Sequence, residues 1–173
     1  MTYPTLINNF NVYDADEANQ ITGTTGEITL PDLETKSSVI NGAGILGEIE
    51  ESVVGYFNSI KMDIPFRTIS TDMFNLMKTN EPTGVTLRGA VQGFDTETAK
   101  ATMKQMKVVV KGKVKSSKPG KMKAGEQMDS SVTLEVTYIK IEYDNKECLE
   151  LDKLNTIYTV NGEDMLAEIR NMI

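Results

Sequence analysis

The sequence lacks histidine and tryptophan and has one cysteine, Cys148, among its 173 residues. Without histidine, the usual zinc ligand sets and the serine–histidine or cysteine–histidine nucleophiles cannot be built. A lone cysteine cannot form an internal disulfide. These absences exclude most hydrolase mechanisms, and we expect a protein without a cofactor that folds in a cytoplasm.

Long apolar runs are also missing. No segment approaches the roughly 20 consecutive apolar residues of a membrane helix, and the first twenty residues lack the basic start and apolar run of a secretory signal. We therefore expect no membrane anchoring. The hydrophobic share of 39% and charged share of 25% suit a packed core, so we expect a single domain over residues 1–173.

Acidic residues are the main remaining candidates for chemistry. Asp14, Asp16 and Glu17, or Glu50 with Glu51, could bind calcium or exchange protons. Carboxylates clustered in polar loops are usually only solvated, so an enzyme is disfavoured. The stretch GAGILG follows a predicted strand but opens no helix, which argues against a phosphate-binding loop.

Charge is unevenly distributed along the chain, whose formal net charge is −7. Residues 1–66 contain ten acidic residues and two lysines, whereas residues 100–123 contain nine lysines and no acid. Such asymmetry is typical of a nucleic-acid site, or of a protein in which the acidic part of one copy meets the basic part of another.

Apolar residues and lysines alternate along the lysine-rich segment, as in a half-buried strand. Met106, Val108, Val110 and Val114 share one face, and the other face carries Lys107, Lys111, Lys113 and Lys115. The alternation resumes after the polar residues 116–130, which predicts a long hairpin. Its second strand changes face near Tyr138, where we expect a bulge or a strong twist.

Three interpretations of the lysine face remain open. It can be a solvated face that guards an exposed sheet edge, a contact with another protein, or a nucleic-acid site. Residues 100–123 contain no aromatic side chain on which bases could stack, which disfavours nucleic acid.

Strands outnumber helices in the rest of the chain. A helix is expected after a Ser70 or Thr71 cap and before Pro82, and a second follows a cap at Asn161, with an apolar stripe that includes Leu166. Further strands are predicted at Phe10–Tyr13, Glu27–Leu30, Glu34–Ile40, Ser52–Ile64, Val85–Gln92, Glu147–Leu151 and Thr156–Val160.

The glycine-rich segment VINGAGILGEIEE carries apolar residues, which are unusual at the tip of a solvated loop. Such residues need a partner, either another chain or the core of their own subunit. With the loop at 116–130, this segment gives the domain two extended loops, the first at about 40–51. The residues of interest in the first are Asn41, Gly42, Gly44, Ile45, Leu46, Gly47 and Ile49.

The order of these patterns resembles the major tail tube proteins of contractile-tailed phages and of the related R-type bacteriocins. The resemblance runs from about Asn8 to Ile173 and lies in NNFNVYD, ITLPDLETKSSVINGAGILGEIE, DIPFRTISTDMFNLM and VNGEDMLAEIRNMI. It implies an antiparallel β-sandwich or small barrel with a flanking α-helix and a short C-terminal helix.

The resemblance also implies a function without catalysis. Six copies would close into a ring, and rings would stack into the tube of a virion tail assembled in the bacterial cytoplasm. Its partners would be further copies, the sheath, and the baseplate and terminator proteins, with DNA only as cargo. The glycine-rich loop would then be ordered by the next ring, and the lysine face would contact another subunit or the sheath.

A second class of function stays open, a β-sandwich module for adhesion or ligand binding. The absence of tryptophan and the 6% aromatic content give little to line a sugar site. Whether a tube would belong to an infectious phage, a headless bacteriocin or a secretion system is likewise left open.

Overall fold

The computed structural model describes residues 1–173 as ten strands and two short helices. The strands are antiparallel, so the mainly β prediction with a flanking helix and a short C-terminal helix is confirmed. The elements are β1 (Thr2–Asp14), β2 (Thr35–Ile40), β3 (Ile49–Phe57), β4 (Lys61–Phe66), α1 (Thr71–Leu76), β5 (Thr83–Asp95), β6 (Ala101–Lys118), β7 (Ser130–Tyr143), β8 (Lys146–Asp152), β9 (Ile157–Val160), β10 (Glu163–Asp164) and α2 (Ala167–Met172).

Eight strands form the main sheet, in the order β1-β5-β6-β7-β8-β9-β10 with β4 also on β7. Strand β7 pairs with β6 along most of its length and divides its other edge between β4 and β8. The division falls at Thr137. This residue has no partner in β6, because Tyr138 pairs with Lys111 and Val136 pairs with the next residue, Gly112. This is the bulge expected near Tyr138, and it lets one strand serve two neighbours.

The core covers one face of the main sheet. Alternate residues of β4, β5, β6 and β7 are buried on this face, as the period of two requires. Helix α1 adds Met73 and Leu76 to the same cluster. The Ser70 side chain accepts a hydrogen bond from the Met73 amide at 3.2 Å, so the predicted cap is confirmed.

Strands β2 and β3 form a separate two-stranded sheet that pairs with no strand of the main sheet. We call β2, β3 and the connecting residues 41–48 the arm. Its base is tied to the body by a hydrogen bond of 2.9 Å from the Asn58 amide to the Glu34 carbonyl. A two-stranded ribbon is marginally stable alone, so this hydrogen bond helps to hold the arm on the body.

The C-terminal segment packs against the arm. The buried Leu166 side chain fills the space beside Gly55 of β3, where an added Cβ would overlap Leu166 Cδ2. Gly55 also has a φ of +70°, which side chains with a Cβ rarely adopt. Glycine at this position therefore permits both the backbone turn and the contact.

Two strand predictions are wrong. Residues Glu27–Leu30 form no strand, because this irregular segment covers the core instead and packs Ile28 against it. The single strand predicted over Ser52–Ile64 is divided into β3 and β4. Phe57 and Ile60 are both buried on either side of the break, while β3 belongs to the arm and β4 pairs with β7.

The C-terminal helix is shorter than predicted, and Asn161 is not its cap. Asn161 has a φ of +49° in the turn between β9 and β10, where Glu163 and Asp164 pair with the preceding strand. Helix α2 begins only after Leu166, which makes no side-chain capping bond. Of the predicted apolar stripe, Leu166 alone is buried.

Candidate assembly surfaces

The arm exposes apolar side chains along both of its strands. Val39, Ile40, Ile49, Val53, Val54 and Tyr56 are all exposed, and Leu46 at the tip is 107% exposed. Ile45 is partly buried. The predicted loop residues therefore lie together at the end of a projecting hairpin and not on the core of their own subunit. The loop itself is confined to 41–48, because Ile40 and Ile49 already pair as strand residues.

Backbone geometry explains the glycines of the tip. Gly44 has a φ of +93° and Gly47 a φ of +103°, both in the region that residues with a Cβ avoid. An added Cβ at either position would meet no atom within 4 Å, so the requirement is conformational and not steric. The tip turn thus presents Ile45 and Leu46 between two glycines.

The four predicted lysines of β6 lie on one side of the strand but differ in their surroundings. Lys107 forms an ion pair with Glu17, and Lys115 lies 3.6 Å from Glu135. Lys111 and Lys113 are exposed and form no ion pair within the chain. Two of the four charges are therefore compensated inside the subunit, and two are available to a partner.

Charged side chains on the neighbouring strands β7 and β8 pair with one another. Lys140 lies 3.0 Å from Glu147 and 3.2 Å from Glu142, and hydrogen bonds to these carboxylates raise its pKa. Burial, followed by the 2.9 Å hydrogen bond to Glu150, raises the pKa of Tyr138 to about 12. This part of the sheet therefore offers little free charge beside Lys111 and Lys113.

A second apolar surface was not predicted from the sequence. Tyr3 stacks on Phe94 with ring centroids 5.6 Å apart, and Leu6 and Met103 are exposed beside them on the face opposite the core. Strand β1 begins at Thr2 and not at Phe10, so the prediction omitted this half of the strand. The apolar residues at positions 3, 6 and 7 were the available signal.

An apolar groove lies on the core side, where β1, β5 and β6 meet the irregular segment 26–30. We call it the base groove, since residues 31–34 lead from it into the arm. Gly26 and Gly89 line the groove, and because they have no side chains they leave space in it. Its apolar lining is Ile7, Phe10, Ile28, Leu30, Leu87, Met106 and Val108.

No group of three or more cysteine, aspartate or glutamate side chains is arranged to hold a metal ion. Neither helix is long and apolar enough to cross a membrane.

Comparison with known proteins gives consistent matches. A tail tube protein of Escherichia phage P2 is 29% identical over 154 residues, which cover 87% of each chain. The major tail tube protein of Serratia phage KSP20 is 31% identical over 67 residues, 39% of each chain. A chain in the six-fold symmetrised cryo-EM structure of the anti-feeding prophage baseplate aligns with a TM-score of 0.44 and 12% identity, over 83% of this chain and 97% of that one.

The match to a family model is more extensive. Residues 4–173 match the model of the phage tail tube protein FII, so the match includes the arm, the main sheet and the C-terminal segment. The chain belongs to the phage tail tube protein FII family and is a structural component of a phage tail.

Proposed function

We propose that six copies of this chain close into a ring and that the rings stack into the inner tube of a contractile tail, a conduit for DNA. The arm is the observation that carries the proposal. It holds Leu46 and its apolar neighbours away from the core of their own subunit. Another subunit would cover that surface, and a protein built for such contacts needs no enzymatic activity.

Ring closure is supported by the free edge of β1. The strand pairs with β5 on one side, while its other side meets only the bridge from Tyr13 to Gln20 near its end. An open edge of this length invites pairing with another chain, and a ring supplies a neighbour for every edge.

Head-to-tail contacts need two different, complementary surfaces on each subunit. The lysines of β6 and the acidic residues of the first 66 positions provide opposite charges. Lys111 and Lys113 would face a neighbouring subunit or the sheath. Further partners in this proposal are the baseplate and terminator proteins, with DNA as passing cargo and assembly in the host cytoplasm.

The direct test is negative-stain microscopy of the purified protein over a range of concentrations. We expect rings or tubes at high concentration. Monodisperse monomers at every concentration would contradict the proposal and favour an adhesive or ligand-binding module. Reproducible hydrolase or transferase turnover by homogeneous protein would contradict the absence of enzymatic activity.

Replacing Ile45 and Leu46 by serine separates stacking from folding. Full burial of an aliphatic side chain is worth about 1.5–3 kcal/mol, so the double variant should lose about 3–6 kcal/mol of stacking free energy per arm. Because the tip is not in the core, the free energy of unfolding of the monomer should change by less than about 1 kcal/mol. Microscopy and denaturant unfolding measure the two effects.

The control for this variant is Leu154→Ser, which removes an exposed leucine outside the arm. It should stack normally. A loss of monomer stability together with normal stacking in the Ile45 and Leu46 variant would show that the tip belongs to its own subunit.

Charge reversal at Lys111 and Lys113 tests the second surface. The double change to glutamate should hinder tube or sheathed-tail assembly, because two cations without partners in the chain become anions. The far-ultraviolet circular dichroism should stay unchanged, since both side chains are exposed. The matched control, arginine at both positions, keeps the charge and should assemble. Equal assembly by the glutamate and arginine variants would show that these lysines are only solvated.

A further inference from the structure

We propose that the base groove of one subunit receives the arm tip of another, so that Ile45 and Leu46 lie over Gly89 of the receiving copy. The inference rests on the proposed stacking of rings and adds to it the surface that accepts the arm. Each copy would then carry both halves of one contact, the tip and the groove, as an assembly that repeats along an axis requires.

The groove has the chemistry and the space to hold aliphatic side chains. Seven of its ten lining residues are hydrophobic. A Cβ added at Gly89 would lie 3.7 Å from Phe10 Cβ and 3.8 Å from Met106 Cε, which is ordinary van der Waals contact. Nothing in the subunit itself therefore requires glycine here. A glycine inside a strand weakens it and often marks a close approach by another chain.

The tip of the same subunit is too distant to fill the groove. Leu30 lines the groove, and β2 starts five residues later at Thr35. The six residues of β2 pair only with β3 and lie between this base and the tip. At about 3.3 Å per residue, the tip lies roughly 20 Å beyond the start of the arm. An arm tip that fills the groove would therefore come from another copy, which the same reach allows.

The arm tip is also better placed than helix α2, another exposed apolar segment. That helix is fastened to its own chain by Leu166 beside Gly55, and by Arg170, which donates a hydrogen bond of 3.1 Å to the Thr156 carbonyl. The tip has no comparable fastening, and Leu46 at its end is entirely exposed.

Charge around the groove does not select its occupant, because Glu27 lines the groove and the nearby Lys104 is already paired. Lys104 lies on the same face of β6 as Met106, with a side chain that is 37% exposed although it pairs with Asp144 at 3.0 Å. Glu48 follows Leu46 by two residues, and the arm carries three glutamates and one lysine between residues 35 and 57. The choice of the arm tip therefore rests on its exposed apolar side chains and not on charge.

Filling the groove from within tests the proposal. In Gly89→Leu the new side chain occupies the space of the incoming Leu46, and the concentration required for tube assembly should rise at least about tenfold. Gly89→Ala keeps the groove open and should assemble like the unmodified protein. Adding Leu46→Ala to Gly89→Leu should recover part of the assembly, because a smaller tip meets a smaller groove.

Photo-cross-linking locates the contact independently of folding in the Gly89 variants. With benzoylphenylalanine at position 46 of the full chain, assembled tubes should give cross-linked dimers whose second site maps to residues 26–30, 87–89 or 106–108. Cross-links that map elsewhere in intact tubes, or normal assembly by a folded Gly89→Leu protein, would overturn the groove assignment and leave ring stacking standing. Failure of the unmodified protein to assemble would overturn both.

Discussion

The arm is an apolar surface that the folded subunit cannot cover, and the rest of the account depends on that constraint. Two strands without a third layer leave side chains such as Val54 and Leu46 in water. An isolated two-stranded ribbon is marginally stable, and exposed apolar patches of this kind mark interaction sites. The ties at Asn58 and Leu166 hold the arm in place but bury little of its length. In the proposed stack of rings, its remaining stabilisation comes from another chain.

The main sheet provides the rigid support from which the arm extends. The bulge at Thr137 allows β7 to pair with β4 along one half and with β8 along the other, so one strand connects both to the rest of the sheet. Strand β4 follows the arm directly, and its Met62, Ile64 and Phe66 side chains are fully buried. The base of the arm is thus fixed to the best-packed part of the molecule, so its direction is set by the core.

Sequence reasoning predicted the parts of this fold that follow from local periodicity. The β6–β7 hairpin, the bulge near Tyr138 and the Ser70 cap are confirmed, because alternation and capping are local properties. The interruption of Ser52–Ile64 was missed, because β3 pairs within the arm whereas β4 pairs with β7, and such a change of partner strand is not a local property of the sequence. The compensation of Lys107 by Glu17 was equally invisible, because it joins residues 90 positions apart. The apolar residues beside Gly44 and Gly47 correctly predicted the position of the tip.

Amide hydrogen exchange of the arm, compared between monomers and assembled tubes, tests the central claim most directly. If the arm is covered by another subunit, the amides of residues 36–56 exchange quickly in the monomer and about 100-fold or more slowly in tubes, equivalent to about 3 kcal/mol of added protection. Equal exchange of the arm in both states, in tubes whose core is protected as before, would contradict the account.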